Sequence, residues 1–323
     1  MRSPPRNKNR FLSNQNCSMD NIKLLEYCIK NPETFLDYNY MFVDKDKNLN
    51  KYTNKTKLIK HKLIALKETI NKNKSRNIVN QLLSELQKEL GNYANYSEFG
   101  AFVNACDSKI EEVYNDKILL KEITILYLKK RELNDIVPSE WIQALIDKGS
   151  SRKKGHAGEN KLIKILENRG YIYAKNLKDF AMHKKCVAKF SKSGDFSNKN
   201  IRRKFDINIG KNTQDKTLDL VIKRNADIYF LEAKHLNTGG GGQNKQILEL
   251  IDLIKNKTNS SKYHFIAFLD GIYSNTLLNN YQNIRNNSDK NKIQNQYFDL
   301  IKTLKNRKSN YWVNTKGFKK LFV

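Results

Sequence analysis

The spacing of apolar positions divides the chain in two. In the first half they recur every three or four residues: Ile59, Leu63, Leu66 and Ile70, then Ile78, Leu82, Leu86 and Leu90. That period is the signature of amphipathic helices. A longer segment from about Ser108 to Leu133 carries Ile110, Val113, Ile123 and Leu126 among charges, which predicts another helix. Pro138 introduces a short helix holding Trp141 and Leu145. Residues 1–150 are therefore expected to form a helical domain. The polar, small and basic stretch Asp147–Gly155 marks its junction with the rest.

The second half has a different rhythm. A helix is expected from Gly158 to Asn168, stopped at Gly170. A basic, polar region follows, with short strand-like pieces such as Lys204–Ile209. Leu218–Ile222 and Ile228–Lys234 read as two strands around the turn Arg224–Asn225–Ala226–Asp227. Four glycines, Gly239–Gly242, lead into an amphipathic helix with Ile247, Leu250, Ile251 and Ile254. Tyr263–Leu269 is a further strand, stopped by Asp270–Gly271, and Asn279–Asn295 reads as mixed helix and loop. Helix, hairpin, helix, strand in that order predicts an α/β (α+β) domain over residues 151–323, a mixed β-sheet flanked by helices.

Composition narrows the possibilities. The 323 residues are 39% hydrophobic and 10% aromatic, enough to bury a core and too apolar for a disordered chain. No stretch approaches the ~20 apolar residues of a membrane-spanning helix. The N-terminal MRSPPRNKNR is basic but has no apolar core after it, so no secretory signal is expected. Cys17, Cys28, Cys106 and Cys186 are scattered without a CxxC pair, which argues against a zinc site and fits a reducing, cytoplasmic setting. The 60 Lys and Arg against 33 Asp and Glu give a net charge of +27. It is unevenly placed, +6 over residues 1–150 and +21 over residues 151–323. Such an excess points to a polyanionic partner, nucleic acid first of all, with residues 1–150 serving recognition or dimerisation.

Candidate chemistry concentrates in residues 217–235. Strand alternation sets Leu218, Leu220 and Ile222 on one face and Asp219 and Val221 on the other, while Glu232 and Lys234 share a face. A two-residue turn at Asn225–Ala226 places Asp219 directly opposite Glu232. Two carboxylates and one ammonium then converge, the set needed to hold Mg²⁺, activate water and hydrolyse a phosphodiester. The alternative is an ordinary hairpin with a polar, solvent-facing side. Against it, Tyr229–Leu231 is wholly apolar and Leu231 and Ala233 flank Glu232, so the strand reads as buried, where an unpartnered carboxylate is costly.

Other residues admit two readings each. Glu159 shares a helical face with Leu162, Ile163 and Leu166, which should point it inward, yet an acid is also favoured in a helix's first turn. Gly239–Gly242 either allow a close approach to a phosphate or are a flexible connector. Gln243 and Gln246 open the next helix, and a solvated helix start is their plain reading. Arg152–Lys153–Lys154 and Arg202–Arg203–Lys204 are phosphate contacts or solvated charge runs. His235 alternates away from Glu232 and Lys234, so a histidine mechanism is not expected.

These residues resemble the active site of the PD-(D/E)xK nuclease superfamily, with Asp219, Glu232 and Lys234 at its acidic, acidic and lysine positions. Leu218 stands where a proline often precedes the first acid. Residues 151–323 are also similar to type II restriction endonucleases, including those that cut at GATC. The matching pieces are the Glu-bearing helix ending at Gly170–Tyr171, the strands carrying Asp219 and Glu232, the glycine-rich loop and the strand finishing at Asp270–Gly271. Relatives of the GATC subgroup often carry Asn where this chain has Lys234. The resemblance implies a restriction-endonuclease-like core and Mg²⁺-dependent, site-specific cleavage of double-stranded DNA. It implies Asp219 and Glu232 as metal ligands with the Ala233 carbonyl as a third, Lys234 activating water, Glu159 assisting at the metal site, and Gln243 and Gln246 near the substrate. A homodimer follows by the same resemblance, as does a cognate DNA methyltransferase acting on the same site. A structure-selective or repair nuclease, or a DNA-binding protein without activity, are the alternatives.

Overall fold

The computed structural model describes residues 19–72, 75–149, 151–209, 216–279 and 292–323, and of residues 151–153 only the backbone. The N-terminal decapeptide, Cys17, the side chains of Arg152 and Lys153, and most of the Asn279–Asn295 stretch lie outside the described residues. The chain packs as two units, Phe42–Arg152 and a second that joins the described residues before Phe42 to Lys153–Val323.

After α1 (Asn21–Lys30), the first unit is built from α2 (Leu49–Asn71), α3 (Arg76–Glu89), α4 (Glu98–Ala105), α5 (Ile110–Asn115), α6 (Lys117–Lys130) and α7 (Ser139–Lys148). Its core comprises Ile59, Leu63 and Leu66 of α2 with Leu86, Val103, Val113 and Tyr127. Ile70 and Ile78, at the adjoining ends of α2 and α3, are exposed instead. The single helix expected over 108–133 is two helices. Asp116 takes an extended backbone between them, and its carboxylate caps α6 by accepting the N–H groups of Ile118 (2.8 Å) and Leu119 (3.0 Å). Those N–H groups have no intrahelical acceptor, so the cap stabilises the break. Trp141 on α7 is exposed.

In the second unit, which includes α1, the chain resumes with α8 (Ser151–Glu167). It begins before the expected Gly158 and absorbs much of the expected junction, because the intervening residues include no proline and isolated glycines cost a helix only about 1 kcal/mol each. Gly158 also has a packing role, since a Cβ there would lie 3.0 Å from the Tyr40 hydroxyl. The helix stops where Gly170 turns left-handed (φ 78°) and Tyr171 N–H donates to Leu166 O at 3.1 Å.

There follow β1 (Ile172–Tyr173), α9 (Leu177–Met182), β2 (Lys185–Lys189), α10 (Asn198–Phe205), β3 (Leu220–Arg224), β4 (Asp227–His235) and α11 (Gly241–Lys255). β5 (Tyr263–Asp270), α12 (Ile272–Asn279), α13 (Lys292–Asn306), β6 (Tyr311–Val313) and α14 (Thr315–Leu321) complete the chain. The strand-like piece expected at Lys204–Ile209 is not a strand. Lys204 and Phe205 close α10, and Asp206 reverses the chain in a left-handed conformation (φ 48°) that Asp tolerates.

Among the described residues the six strands form one sheet in the order β1-β2-β3-β4-β5-β6. β2, β3 and β4 pair antiparallel, while β1 with β2, β4 with β5 and β5 with β6 pair parallel. The fold is thus α/β, a mixed sheet flanked by helices, with a helical region in the N-terminal half. Phe230, Leu231, Phe268 and Leu269 are all fully buried, so neighbours pointing to opposite faces are both covered. This explains why β4 and β5 read as near-continuous apolar runs. No helix of the described residues is long and apolar enough to cross a membrane.

Candidate active site

The β3–β4 hairpin closes with Arg224 paired to Asp227, leaving Asn225 and Ala226 as the two turn residues. Asn225 takes the left-handed conformation (φ 58°), which its short polar side chain tolerates. The register runs back to Leu220 opposite Leu231, and one step further sets Asp219 across from Glu232. Asp219 is pinned on both sides by its main chain. Its N–H donates to Leu231 O at 3.0 Å and its carbonyl accepts from Phe190 N–H at 3.1 Å. Its carboxylate reaches over β4 and accepts the Ala233 N–H at 2.7 Å.

Glu232 is buried, and its two oxygens are treated differently. Oε1 accepts from the Lys234 ammonium and lies 3.0 Å from the Lys216 ammonium. Oε2 is buried and has no hydrogen-bond partner. Burial pushes the Asp219 carboxyl up to about 7, with the Glu232 charge acting in the same direction; the Ala233 N–H and Lys234 oppose the shift, and Glu159 reinforces it. Glu159 therefore stands close enough to the pair for its charge to be felt. It is held by Lys189, 3.0 Å away, and Lys189 is paired with Leu220, the neighbour of Asp219. The structure thus gathers Asp219, Glu232, Ala233, Lys234 and Glu159 at one end of the hairpin.

This donor set suits a hard divalent cation. A buried carboxylate oxygen with no protein partner, beside a second carboxylate that burial makes hard to ionise, is an arrangement that an oxygen-seeking cation would satisfy. The carboxylates available to such a cation on the hairpin are two, Asp219 and Glu232. Among the described residues no group of three or more His, Cys, Asp or Glu is gathered as an ion site.

Several singled-out residues lie elsewhere. His235 points away from the carboxylates: its Nδ1 is 2.8 Å from Asp270 Oδ1, and its ring stacks on Tyr40 at 3.6 Å. Gly239 is a close-packing position, since a Cβ there would lie 2.7 Å from the Tyr273 ring. Gly241 and Gly242 open α11, and Gln243 and Gln246 sit half-buried in its first turns. Of the basic run on α10, Arg202 is tied to the Ile209 carbonyl (2.6 Å), while Arg203 and Lys204 are exposed.

Two groups escaped the sequence reading. Lys216 bridges Glu232 to Glu249 of α11, at 2.9 Å from the latter. Burial disfavours its charge, but the two carboxylates outweigh this and raise its pKa. On the other side of His235, Lys161 of α8 donates to Asp270 (2.7 Å), Asp37 (2.6 Å) and Thr315 (2.7 Å). The one signal for this cluster was a lysine beside the apolar positions of α8.

A mixed sheet with helices on its faces carries two carboxylates and a lysine on one hairpin. Residues 166–307 match the family model of the DpnII restriction endonuclease. The match supports a restriction endonuclease, a hydrolase that acts on DNA, and it is consistent with the likeness to enzymes that cut at GATC. It spans Asp219, Glu232 and Lys234 and stops short of Glu159. No curated protein matches the chain.

Proposed function

We propose that the protein is a type II restriction endonuclease that hydrolyses phosphodiester bonds in double-stranded DNA at a specific site, with Mg²⁺ as cofactor. The observation that carries this reading is Glu232: a buried carboxylate with one oxygen held by lysine and the other without a partner, directly across the hairpin from Asp219. Asp219, Glu232 and the Ala233 carbonyl would hold the Mg²⁺. The cation supplies a water of lowered pKa and neutralises charge developing on the phosphorus.

The chain's own residues do the rest. Lys234, held on Glu232, is placed to orient the attacking water and to stabilise the negative charge of the transition state. The Ala233 N–H fixes the Asp219 carboxylate, so the ligand pair is oriented before substrate arrives. Glu159, restrained by Lys189, adds negative charge beside Asp219 and so favours a cation there. The excess of positive charge over residues 151–323 draws in the DNA. Cutting both strands calls for two such centres, which a homodimer supplies. A methyltransferase acting on the same site would protect the host's own DNA, and the scattered cysteines suit a cytoplasmic enzyme.

The test is to incubate the full chain with unmethylated plasmid and genomic DNA in Mg²⁺ or in EDTA, beside Lys234→Ala. Discrete Mg²⁺-dependent fragments, absent with the variant, are the expected result, and sequencing their ends gives the site. A smear would mean cleavage without sequence choice. Intact DNA that is nonetheless bound would overturn the reading, in favour of a branched-substrate nuclease or a binding protein.

A further inference from the structure

The candidate centre holds one more cation than its chemistry uses. Lys234 already occupies Glu232 Oε1, yet the Lys216 ammonium also lies 3.0 Å from that oxygen and 2.9 Å from Glu249 Oε2. The two lysines differ in setting. The Lys234 side chain is 16% exposed and that of Lys216 is 45% exposed. An ion pair with so exposed a member contributes little to folding, so the Lys216 bridge is a poor structural clamp. Its electrostatic effect on the centre is large by comparison. An ammonium in contact with one oxygen of a carboxylate repels a dication on the other oxygen, and Glu232 Oε2 is the oxygen left free.

Resting on the reading that Asp219 and Glu232 hold a divalent cation, we propose that Lys216 is a movable counter-ion that couples metal loading to DNA binding. Bridged to Glu232 and Glu249, it neutralises the carboxylates and weakens their hold on a metal. A DNA phosphate brought to the centre offers the Lys216 ammonium a competing anion, and the exposed stem leaves it free to turn. Lys234 stays on Oε1, so Glu232 keeps its orientation while the opposing charge departs. Metal affinity then rises where substrate is present, and by linkage the metal strengthens DNA binding by the same factor. Glu249 is the residue that parks the ammonium when DNA is absent.

The test uses the full chain, with Mn²⁺ binding followed by electron paramagnetic resonance in the absence of DNA. DNA binding is followed by the anisotropy of a fluorescein-labelled, unmethylated duplex containing GATC, in Ca²⁺ or in EDTA. Lys216→Met is expected to bind Mn²⁺ about tenfold more tightly than the wild type, the size of effect left to a half-exposed neighbouring charge. Lys216→Arg, which keeps the charge, is expected to match the wild type. Ca²⁺ is expected to tighten DNA binding by the wild type and to do so less in Lys216→Met.

Equal or weaker Mn²⁺ binding by Lys216→Met overturns the proposal, as does an arginine variant that binds as tightly as the methionine one. A merely structural bridge would weaken metal binding when cut, the opposite direction. Glu232→Gln separates the two levels of inference. If it abolishes Mn²⁺ binding while Lys216→Met changes nothing, the counter-ion role alone fails. If Mn²⁺ binding survives Glu232→Gln, the metal reading of the hairpin fails with it.

Discussion

Replacing Lys161 with methionine tests whether the cluster behind β4 holds the sheet unit together. Lys161 and Asp270 are 5% and 0% exposed, and the ammonium spends its three donors on Asp270, Asp37 and Thr315. Methionine preserves much of the volume and leaves the Asp270 carboxylate buried without its cation. Breaking a buried pair in this way costs about 3–5 kcal/mol. Asp270 keeps the Tyr40 hydroxyl (2.7 Å) and His235 (2.8 Å), and the Asp37 contact is partly exposed and adds little, so the lower end, about 3 kcal/mol, is expected. For a unit of this size that lowers the melting midpoint by about 6–12 °C.

Urea unfolding followed by tryptophan emission is the direct assay. Trp312 is fully buried in the sheet unit and Trp141 is 70% exposed in the helical one, so the emission shift reports chiefly on the sheet. The double variant Lys161→Met/Asp270→Asn removes both members of the fully buried pair and is expected to recover at least half of the loss. A single-variant loss below about 1 kcal/mol, the level of an exposed surface pair, would mean that Lys161 does not hold the cluster.

Four further outcomes are expected. DNA affinity is expected to fall on the order of a thousandfold between 50 and 200 mM salt if the net +21 of residues 151–323 contacts phosphates; a fall below about tenfold counts against an electrostatic footprint. Burial pushes the thiols of Cys28 and Cys186 up to about 12 and about 11, so at pH 8 almost none is thiolate, and peptide mapping is expected to show both unlabelled by iodoacetamide until the protein is unfolded. Gly271→Ala is expected to lower stability by about 2 kcal/mol or more, because φ is +82° and a Cβ would run into the Leu236 carbonyl. Gly155→Ala, with nothing within 4 Å on helix α8, is expected to stabilise by about 0.5–1 kcal/mol; equal effects at the two glycines would contradict both accounts.

The reach of the sequence follows from the range of the forces involved. Asp219 and Glu232 could be set opposite one another from the chain alone, because strand period and turn length are local and together fix cross-strand neighbours. The turn needed only Asn225, and the apolar flanks of Glu232 announced its burial. Local reasoning failed where a single residue decided an end. Asp116 divided an expected helix by capping the next one, and Asp206 stopped α10 where a strand was expected.

The partners of the central residues were decided by tertiary structure. Lys216 meets Glu249 across 33 residues, and Lys161 meets Asp270 across 109. Neither pairing has a periodicity or a spacing to betray it, since each depends on how α8 and α11 lie against strands that are distant along the chain. Local sequence pattern was enough for the helical and mixed-sheet halves, the basic charge and the hairpin with its two acids and lysine. Only the packed fold decided that one oxygen of Glu232 would be claimed by two lysines and the other left bare, because that asymmetry arises from side chains brought together by the burial of the whole sheet.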